Sequence, residues 1–421
     1  MNKNLILIVA IVAAIATVTI LMDEEESGEP TLPNVSIVTD SGEFIYTDES
    51  YTKCSVSVWG GDGDFTLDAE NAKIRGRGNS TWDQPSWWYM PKKPYKVMFD
   101  EPIDMFGNGA ARKWTFIANY SDPSLSRDYF AYTIGAAIGL EDTTTVQCVN
   151  LYLNDIYQGE YLMCEQVEIG EGRVDIDVGP IDGDYGFLTE MDAWILSDGV
   201  EGLDYFWSNG NVYSVHWPGD EPYDSAYGYV DFVRRWIDDA MDAIRSGDYD
   251  RASGMIDMES FALTYIVNEL FHTQDVQSGS FYMHRSAGGK LVSGPIWDFD
   301  NSSGNASNST SKHPDRLWAA DQNIWYRELL KYDEFRALVG EKLSENIDTI
   351  SETIQSDREY LLSHKGDFKR NFDRWSTLGT LTGANPLEFL VIDTWTGHLD
   401  YLCNWLDASL RYLMSVYCPD A

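Results

Sequence analysis

NELFHTQDVQSGSFYMHRSAGGKLVSGPIWDFDNSSG, residues Asn268–Gly304, is the stretch on which the prediction of the fold depends. It begins as the end of an apolar helix and continues through a polar loop that contains Asp275. A short strand over Ser280–His284 follows, and after a Gly-Gly turn a second strand begins at Leu291 and ends in Trp297–Asp300. The stretch therefore predicts a helix, a carboxylate in a loop, a β-hairpin and further carboxylates where a strand ends.

Carboxylates beside a hairpin are ordinarily turn residues in a chain this rich in Asp. This arrangement also matches the needs of phosphoryl transfer, in which one Asp receives a hydroxyl proton and a later Asp holds the metal on nucleotide phosphates. Asp275 and Asp298 are the candidates for these two roles. A second feature of the chain is needed to choose between the two interpretations.

Composition excludes some classes of protein. The 421 residues are long enough for two lobes, and 14% of them are aromatic, which argues against disorder. The formal net charge is −38, from 68 acidic and 30 basic residues, and this argues against DNA or RNA as a partner. If such a chain binds a polyanion such as ATP, its few basic residues must be concentrated in one cleft.

The pattern of the chain changes near residue 200. Residues 43–200 carry short runs of β-branched and aromatic residues, including a hairpin over Cys148–Glu165, and one helix near Ser126–Ile138. Residues 201–421 are mainly helical, with the Asp-bearing hairpin set among the helices. The helix-like segments are Tyr229–Ile244, Phe261–Phe271, Ile324–Leu338, Leu343–Ile354 and Leu399–Met414. The predicted fold class is α+β, with a β-rich part followed by a helical part.

The N-terminus carries a candidate membrane segment. Residues 4–22 are almost wholly apolar, follow Lys3 and precede the acidic run Asp23–Glu26. This length is enough to span a bilayer, and the positive-inside rule then places the rest of the chain outside. No clear cleavage site lies at the end of residues 1–22, so an anchor is favoured over a cleaved signal, and residues 23–42 are predicted to be a linker. The expected location is the cell surface, or the medium if the segment is cleaved.

Five cysteines are present, and none forms a C-x-x-C pair, so a zinc site is not expected. Outside the membrane, Cys403 with Cys418 or Cys148 with Cys164 would be candidates for a disulfide. The odd number leaves at least one thiol unpaired.

The most basic stretch of the chain is the second feature. It runs from Ile74 to Val97 and contains Arg75, Arg77 and a Lys-Lys pair that precedes a strand. Glycines at 76 and 78 allow a backbone to approach phosphate oxygens, and Lys93 would neutralise their charge. A surface hairpin whose cations pair with nearby carboxylates is the alternative, because glycine-rich turns are common.

Four motifs in fixed order carry a resemblance to a known family. GRGNSTW and KKPY are followed by LNDIYQGEYLMCEQVE and then by the Asp loop with WDFD. Over about residues 74–304 the chain resembles the CotH family of secreted, spore-coat-type protein kinases. The resemblance implies an atypical, two-lobed kinase-like fold with a β-rich N-lobe and a helical C-lobe. It also implies ATP with Mg or Mn and phosphorylation of Ser or Thr in a protein substrate.

The resemblance assigns roles position by position. Asp275 matches the catalytic Asp, and Asp298 matches the metal-binding Asp of the DFG-like turn. Lys93 matches the phosphate-contacting Lys best, with Lys92 as the fallback, and either Glu165 or Glu190 would pair with it. The nucleotide loop would contain Arg75, Arg77, Asn79 and Ser80.

The chain departs from the family pattern at two positions. Ser280 stands where the family prefers Asn as a second metal ligand, and a hydroxyl is a poorer ligand for a hard cation than an amide carbonyl. Asp300 stands in place of the glycine of the DFG-like turn, on the same side of an extended segment as Asp298, where it could compensate as a metal ligand.

Three functions remain open from the sequence. The leading one is a membrane-anchored, outward-facing protein kinase. A second is a cell-surface binding or structural module on an inactive kinase scaffold, which Ser280 would suit. A metal-dependent hydrolase built on Asp275, Asp298 and Asp300 is less favoured, because no His is placed with them.

Overall fold

The structure is a computed structural model that describes most of the chain from residue 31 to residue 419. Residues 62, 64, 79–80, 83–89, 108, 198–203, 218–225, 308–310 and 384 within this range lie outside the description. The predicted membrane segment, residues 1–22, also lies outside it. In the part that is described, no helix is long and apolar enough to cross a membrane.

Seven strands form a closed barrel in the order β1-β2-β3-β4-β5-β7-β6. Their alternating residues fill the interior with apolar side chains such as Ile37, Trp114 and Tyr161. The barrel closes because β1 pairs in parallel with β6, from Asn34 opposite Asn150 onwards. The strands are β1 (Asn34–Thr39), β2 (Thr52–Trp59), β3 (Leu67–Gly76), β4 (Tyr95–Asp104), β5 (Ala110–Ile117), β6 (Val146–Leu153) and β7 (Ile156–Glu165).

The barrel tests two predictions made from the sequence. The hairpin over Cys148–Glu165 is confirmed as β6 and β7, and its two turn residues, Asn154 and Asp155, have φ of 50° and 62°. Asn and Asp tolerate this left-handed conformation better than other residues with a Cβ atom. The linker prediction is wrong over residues 34–39, because these residues form β1.

A second, antiparallel sheet carries the hairpin of the opening stretch. Its strand order is β12-β11-β8-β10-β9, so β8 joins the predicted hairpin to a further one. The pairing places Glu190 of β8 opposite Tyr282 of β11. The strands are β8 (Phe187–Met191), β9 (Tyr205–Ser208), β10 (Asn211–His216), β11 (Phe281–Arg285) and β12 (Val292–Ile296).

Helices pack around this second sheet and against the outside of the barrel. They are α1 (Arg127–Ala137), α2 (Ala226–Arg245), α3 (Tyr249–Met255), α4 (Met258–Phe271), α5 (Ala319–Gln322), α6 (Ile324–Leu329), α7 (Asp333–Ser363), α8 (Lys365–Arg374) and α9 (Trp395–Tyr417). The α+β class is confirmed. The predicted helix over Ile324–Leu338 is in fact α6 and the first turns of α7, and α7 continues through the segment predicted as Leu343–Ile354.

One apolar core joins the barrel wall to the helices. Phe130 and Ile134 of α1 pack in the same cluster as Cys148 of β6 and Cys164 of β7, whose side chains leave the barrel outwards. All five cysteines are free thiols. The two disulfides suggested by the sequence, Cys148–Cys164 and Cys403–Cys418, are therefore not formed in this structure. Cys403 lies within α9, and Cys418 follows the last residue of the same helix, fifteen positions later.

Candidate active site

A cavity of about 490 Å³ lies between the barrel and the second sheet. Arg77, Lys92 and Ile117 line it on the barrel side. Residues of the opposite side come from the second sheet and the segments that follow it: Glu190, Asp192, Asp275, Ser280, Tyr282, Asp298 and Asp300. The two sequence stretches that suggested function therefore meet across one cavity.

Local turns bring the carboxylates to this cavity. Helix α4 ends at His272, which is left-handed with φ 53°, and Asp275 then opens a single 3₁₀ turn whose N–H groups from Ser278 and Gly279 donate to the Asp275 carbonyl. Asp298 and Asp300 follow the end of β12. Asp298 also has a left-handed backbone, with φ 67°.

Ser280 and Glu190 are joined by a hydrogen bond at the start of β11. The Ser280 N–H donates to Glu190 Oε1 at 3.0 Å, and the Ser280 hydroxyl donates to Asp298 Oδ2 at 3.4 Å. His216 Nε2 lies 3.1 Å from the other oxygen of Glu190. One carboxylate oxygen of Glu190 therefore holds the Ser280 turn in place, and the other lies beside His216.

The buried carboxylates raise one another's pKa. Burial, together with the charge of Asp298, raises the pKa of Asp275 to about 7. Burial also raises the pKa of Asp298, although the Arg77 guanidinium opposes the shift. The pKa of Asp300 is raised well above its usual value by burial and by Asp298 and Asp128. Such a group of acids is electrostatically costly unless a cation or protons compensate the charge.

The donor set fits a divalent cation that is shared with a substrate. Among the residues that the structure describes, no group of three or more His, Cys, Asp or Glu side chains is placed to hold a metal ion by itself. A nucleotide-bound Mg²⁺ does not need such a cage, because one or two carboxylates, phosphate oxygens and water complete its octahedron. Asp298 and Asp300 are oxygen donors of the required kind at the cavity wall.

The lysine at the cavity is Lys92. Its side chain is buried and lines the cavity, and its Nζ donates to the Glu160 carbonyl. Lys93 points the other way, and its Nζ donates to the carbonyls of Thr81 and Trp82 at 3.2 and 2.9 Å. Of the two, only Lys92 lines the cavity. The preference for Lys93 is therefore corrected to the fallback, Lys92.

The acidic neighbour of Lys92 is Glu160, which the sequence interpretation did not choose. Burial lowers the pKa of Lys92 to about 8, while the charge of Glu160 opposes that shift. Burial raises the pKa of Glu160 to about 7, and Lys92 opposes the shift in turn. The signal was present in the sequence, since Glu160 is an ionisable residue inside the otherwise apolar run of the third motif.

Glu165 does not take part in this pair. Its carboxylate accepts hydrogen bonds from the N–H and hydroxyl of Thr145 and lies 3.4 Å from the Arg173 guanidinium. Glu165 and Arg173 line a separate cavity of about 40 Å³. The prediction that Glu165 or Glu190 pairs with the cavity lysine is thus wrong in this geometry.

The glycine-rich stretch contributes one cation to the cavity. Arg77 lines it, with its guanidinium 5.5 Å from the ring centre of Trp297. Arg75 instead donates to the Asp48 carbonyl and lies over the ring of Tyr51, away from the cavity lining. The predicted loop residues Asn79 and Ser80 lie outside the described residues.

Asp128 is a cavity residue that no sequence motif indicated. It lies in the first turn of α1, where an acid is an ordinary helix-terminal residue, so its sequence position gave no signal. In the structure it is buried at the cavity wall, and burial with the charge of Asp298 raises its pKa to about 7.

Comparison with known proteins agrees with these motifs. The family model described as CotH kinase protein matches residues 74–413. The likeness to the family therefore continues beyond residue 304, through the helices after the WDFD motif. No curated protein matches the chain.

Proposed function

The chain belongs to the CotH kinase family, and from this premise we propose that it is an ATP-dependent kinase for Ser or Thr of a protein substrate. One observation carries the proposal: a single cavity has Lys92 and Arg77 on one side and the carboxylates of Asp275 and Asp298 on the other. A nucleoside triphosphate needs both, because cations bind its phosphates and carboxylates hold its metal and accept the hydroxyl proton.

Asp275 is the proposed proton acceptor. The oxygen of the substrate hydroxyl bonds to the γ-phosphorus of ATP, the bond from that phosphorus to the β-phosphate oxygen breaks, and ADP leaves. The hydroxyl proton passes to Asp275. A carboxylate whose pKa is raised to about 7 accepts a proton more readily than an exposed Asp does.

The phosphate and metal contacts divide between the two sides of the cavity. Lys92 and Arg77 would bind phosphate oxygens, and Glu160 would hold the Lys92 ammonium in position. Asp298 and Asp300 would hold Mg²⁺ or Mn²⁺, which neutralises charge on the phosphates when it is bound. Ser280 would supply a weaker oxygen donor beside Asp298.

The proposal extends to the kinase-like layout and to location. The barrel would act as the nucleotide lobe, and the helices with the second sheet would act as the other lobe. The apolar residues 4–22 would anchor the chain in the membrane with the catalytic part outside, or direct its secretion if they are cleaved. The net charge of −38 argues against a nucleic acid as substrate.

The experiment compares wild type with Asp298→Ala in thermal shift assays with ATP and Mn²⁺ and in phosphate transfer to protein acceptors. Wild type should gain stability with the metal nucleotide, and Asp298→Ala should lose that gain because the metal loses its main carboxylate. Asp373→Ala, at a separate cavity beside α8, is the control and should behave as wild type. An Asp298→Ala protein with the full wild-type shift would contradict the metal assignment.

Ser280 favours a second candidate, an inactive kinase-fold module for surface binding or structure. Its hydroxyl is already engaged with Asp298 and its N–H with Glu190, so it is a poor second metal ligand. A wild-type protein that binds no nucleotide and transfers no phosphate with Mg²⁺ or Mn²⁺ would establish this candidate in place of the kinase.

A further inference from the structure

Helix α1 holds the backbone of the turn that contains Asp298. The Phe299 N–H donates to Asp128 Oδ1 at 2.7 Å, and the Asp298 N–H donates to the Tyr132 hydroxyl at 3.2 Å. The Tyr132 hydroxyl in turn lies 3.4 Å from the same Asp128 oxygen, to which it donates. Two successive amides of the turn are therefore bound by one small network on α1.

This turn needs such support. Asp298 has φ 67°, a left-handed conformation that Asp adopts more readily than most residues with a Cβ atom but that remains less favourable than the right-handed and extended regions. A strained conformation of this kind persists only where the surroundings determine it. The Tyr132 ring adds to the support, because it stacks on Trp297 and meets Phe299 edge to face.

Helix α1 is itself held in place by contacts with α7. Its Thr133 hydroxyl donates to Asp357 of α7, and its Tyr129 ring stacks on Tyr360 at 5.7 Å between ring centres. The helix is thus a rigid support between α7 and the turn.

We propose that Asp128 and Tyr132 are positioning residues that hold Asp298 in its left-handed conformation and thereby set the affinity of the site for the metal nucleotide. This inference rests on the proposed kinase function. Asp128 acts in this role through its Oδ1 atom, which accepts the hydrogen bond from the Phe299 N–H. Asp128→Asn keeps an acceptor oxygen at the same distance from the backbone, whereas Asp128→Ala removes it.

The test measures binding of a non-hydrolysable ATP analogue to the full chain by calorimetry, with and without Mn²⁺. Asp128→Ala should weaken the Mn²⁺-dependent affinity about tenfold or more, and Asp128→Asn should restore it to within about threefold of wild type. Tyr132→Phe keeps the ring and should weaken affinity in the same direction as Asp128→Ala. Tyr129→Phe, on the same helix, is the control and should leave affinity unchanged.

Binding of the analogue without Mn²⁺ distinguishes a misplaced Asp298 from a disrupted cavity. We expect the metal-free affinity to depend on Lys92 and Arg77, and therefore to change by less than about twofold in all variants. If Asp128→Ala does not fold, Tyr132→Phe decides the question. Wild-type affinity in both Asp128→Ala and Tyr132→Phe would overturn the inference, as would equal losses in Asp128→Asn and Asp128→Ala. Failure of wild type to bind the Mn²⁺ complex would instead remove the proposed function, and this inference with it.

Discussion

Lys92 is a buried ammonium group at the cavity, and its neighbours determine what a substitution would do there. Its side chain is 1% exposed and lies beside the buried Glu160. Gly159 makes this approach possible, since a Cβ atom at that position would lie 3.0 Å from Lys92 Cε and 2.5 Å from an oxygen of Asn371. The Glu160 carboxylate is buried, and the nearby Lys92 charge favours its ionised form, so removal of Lys92 alone would leave that carboxylate without this compensation.

Lys92→Met is therefore expected to weaken ATP binding about tenfold or more and also to lower the melting temperature. Adding Glu160→Gln should recover stability, since it removes the unpaired carboxylate, but should not recover ATP affinity. Lys93→Met is the matched control and should change affinity less than twofold, because its ammonium binds the carbonyls of Thr81 and Trp82. Calorimetry with ATP and a thermal melt measure both effects; a loss confined to Lys93→Met would show that the register is wrong.

The sequence predicted the type of these residues better than their partners. The order of the motifs placed a lysine and two Asp groups at one site, because turn residues and strand ends can be recognised locally. It did not distinguish Lys92 from Lys93, because alternation says that neighbours face opposite sides but not which side is the cavity. The position of Glu160 inside an apolar run was a local signal of burial, but its proximity to Lys92 depends on contact between β7 and the segment before β4, which no local pattern reveals.

Helices α1 and α7 meet through a buried acid, Asp357, which accepts a hydrogen bond from Thr133. Burial raises the pKa of Asp357 to about 7, and the hydrogen bond opposes the shift. Between about pH 4 and pH 7 the folded protein therefore holds a proton that the unfolded chain has already lost. The free energy of unfolding falls as the pH rises through this window, and it stays lowered above pH 7.

Asp357→Asn removes this cost and keeps an acceptor for Thr133. The variant should melt about 2 °C or more above wild type at pH 8 and at nearly the same temperature as wild type at pH 4. Asp348→Asn, at an exposed position of the same helix, serves as the control and should show no such difference between the two pH values. If Asp357→Asn and wild type melted at the same temperature at pH 8, the ionised, buried Asp357 would not be destabilising the folded protein. The melts are followed by circular dichroism.

Helices and strands with a strong hydrophobic period were predicted correctly. Elements whose bounds depend on contacts with residues far away in the sequence were not. The β6–β7 hairpin and helix α4 follow from alternation, turn residues and an apolar run. Strand β1 was taken for linker because it follows a Pro-bearing acidic stretch, although its residues NVSIVT are mostly β-branched. Its place is fixed by pairing with β6 far along the chain. Helix α7 was predicted in pieces since its polar residues interrupt the apolar period, and packing makes it one helix of 31 residues.

At the scale of the whole molecule, the start of the described chain ties the barrel to the helices. The N–H groups of Thr31 and Leu32 donate to Asp367 of α8 at 2.9 and 3.2 Å, and Asn150 of β6 donates to the other Asp367 oxygen at 2.6 Å. The Thr31 hydroxyl also lies 2.6 Å from His364 Nδ1. Polar contacts that no motif indicated thus hold the start of the described chain and β6 against α8.

The whole molecule also carries a large excess of negative charge. The 68 acidic residues outnumber the 30 basic residues by 38, so repulsion between like charges must act against the folded state at neutral pH. Surface ion pairs oppose this only weakly, since each exposed pair contributes about 0–1 kcal/mol. Salt shortens the range of repulsion, from a Debye length of about 10 Å at 0.1 M to about 3 Å at 1 M.

The melting temperature of the full chain should therefore rise between 0.05 and 1 M KCl at pH 7.5, with about 1 mM chelator present so that metal binding does not contribute. The same titration near pH 4.3, the isoelectric point of the sequence, is the control, because net repulsion vanishes there and only the general effect of salt on apolar burial remains. If the melting temperature rose equally at both pH values, the salt would be acting on the apolar core and not on the charge of the surface. If it did not rise at pH 7.5, repulsion among the excess carboxylates would not be limiting the stability of the folded protein.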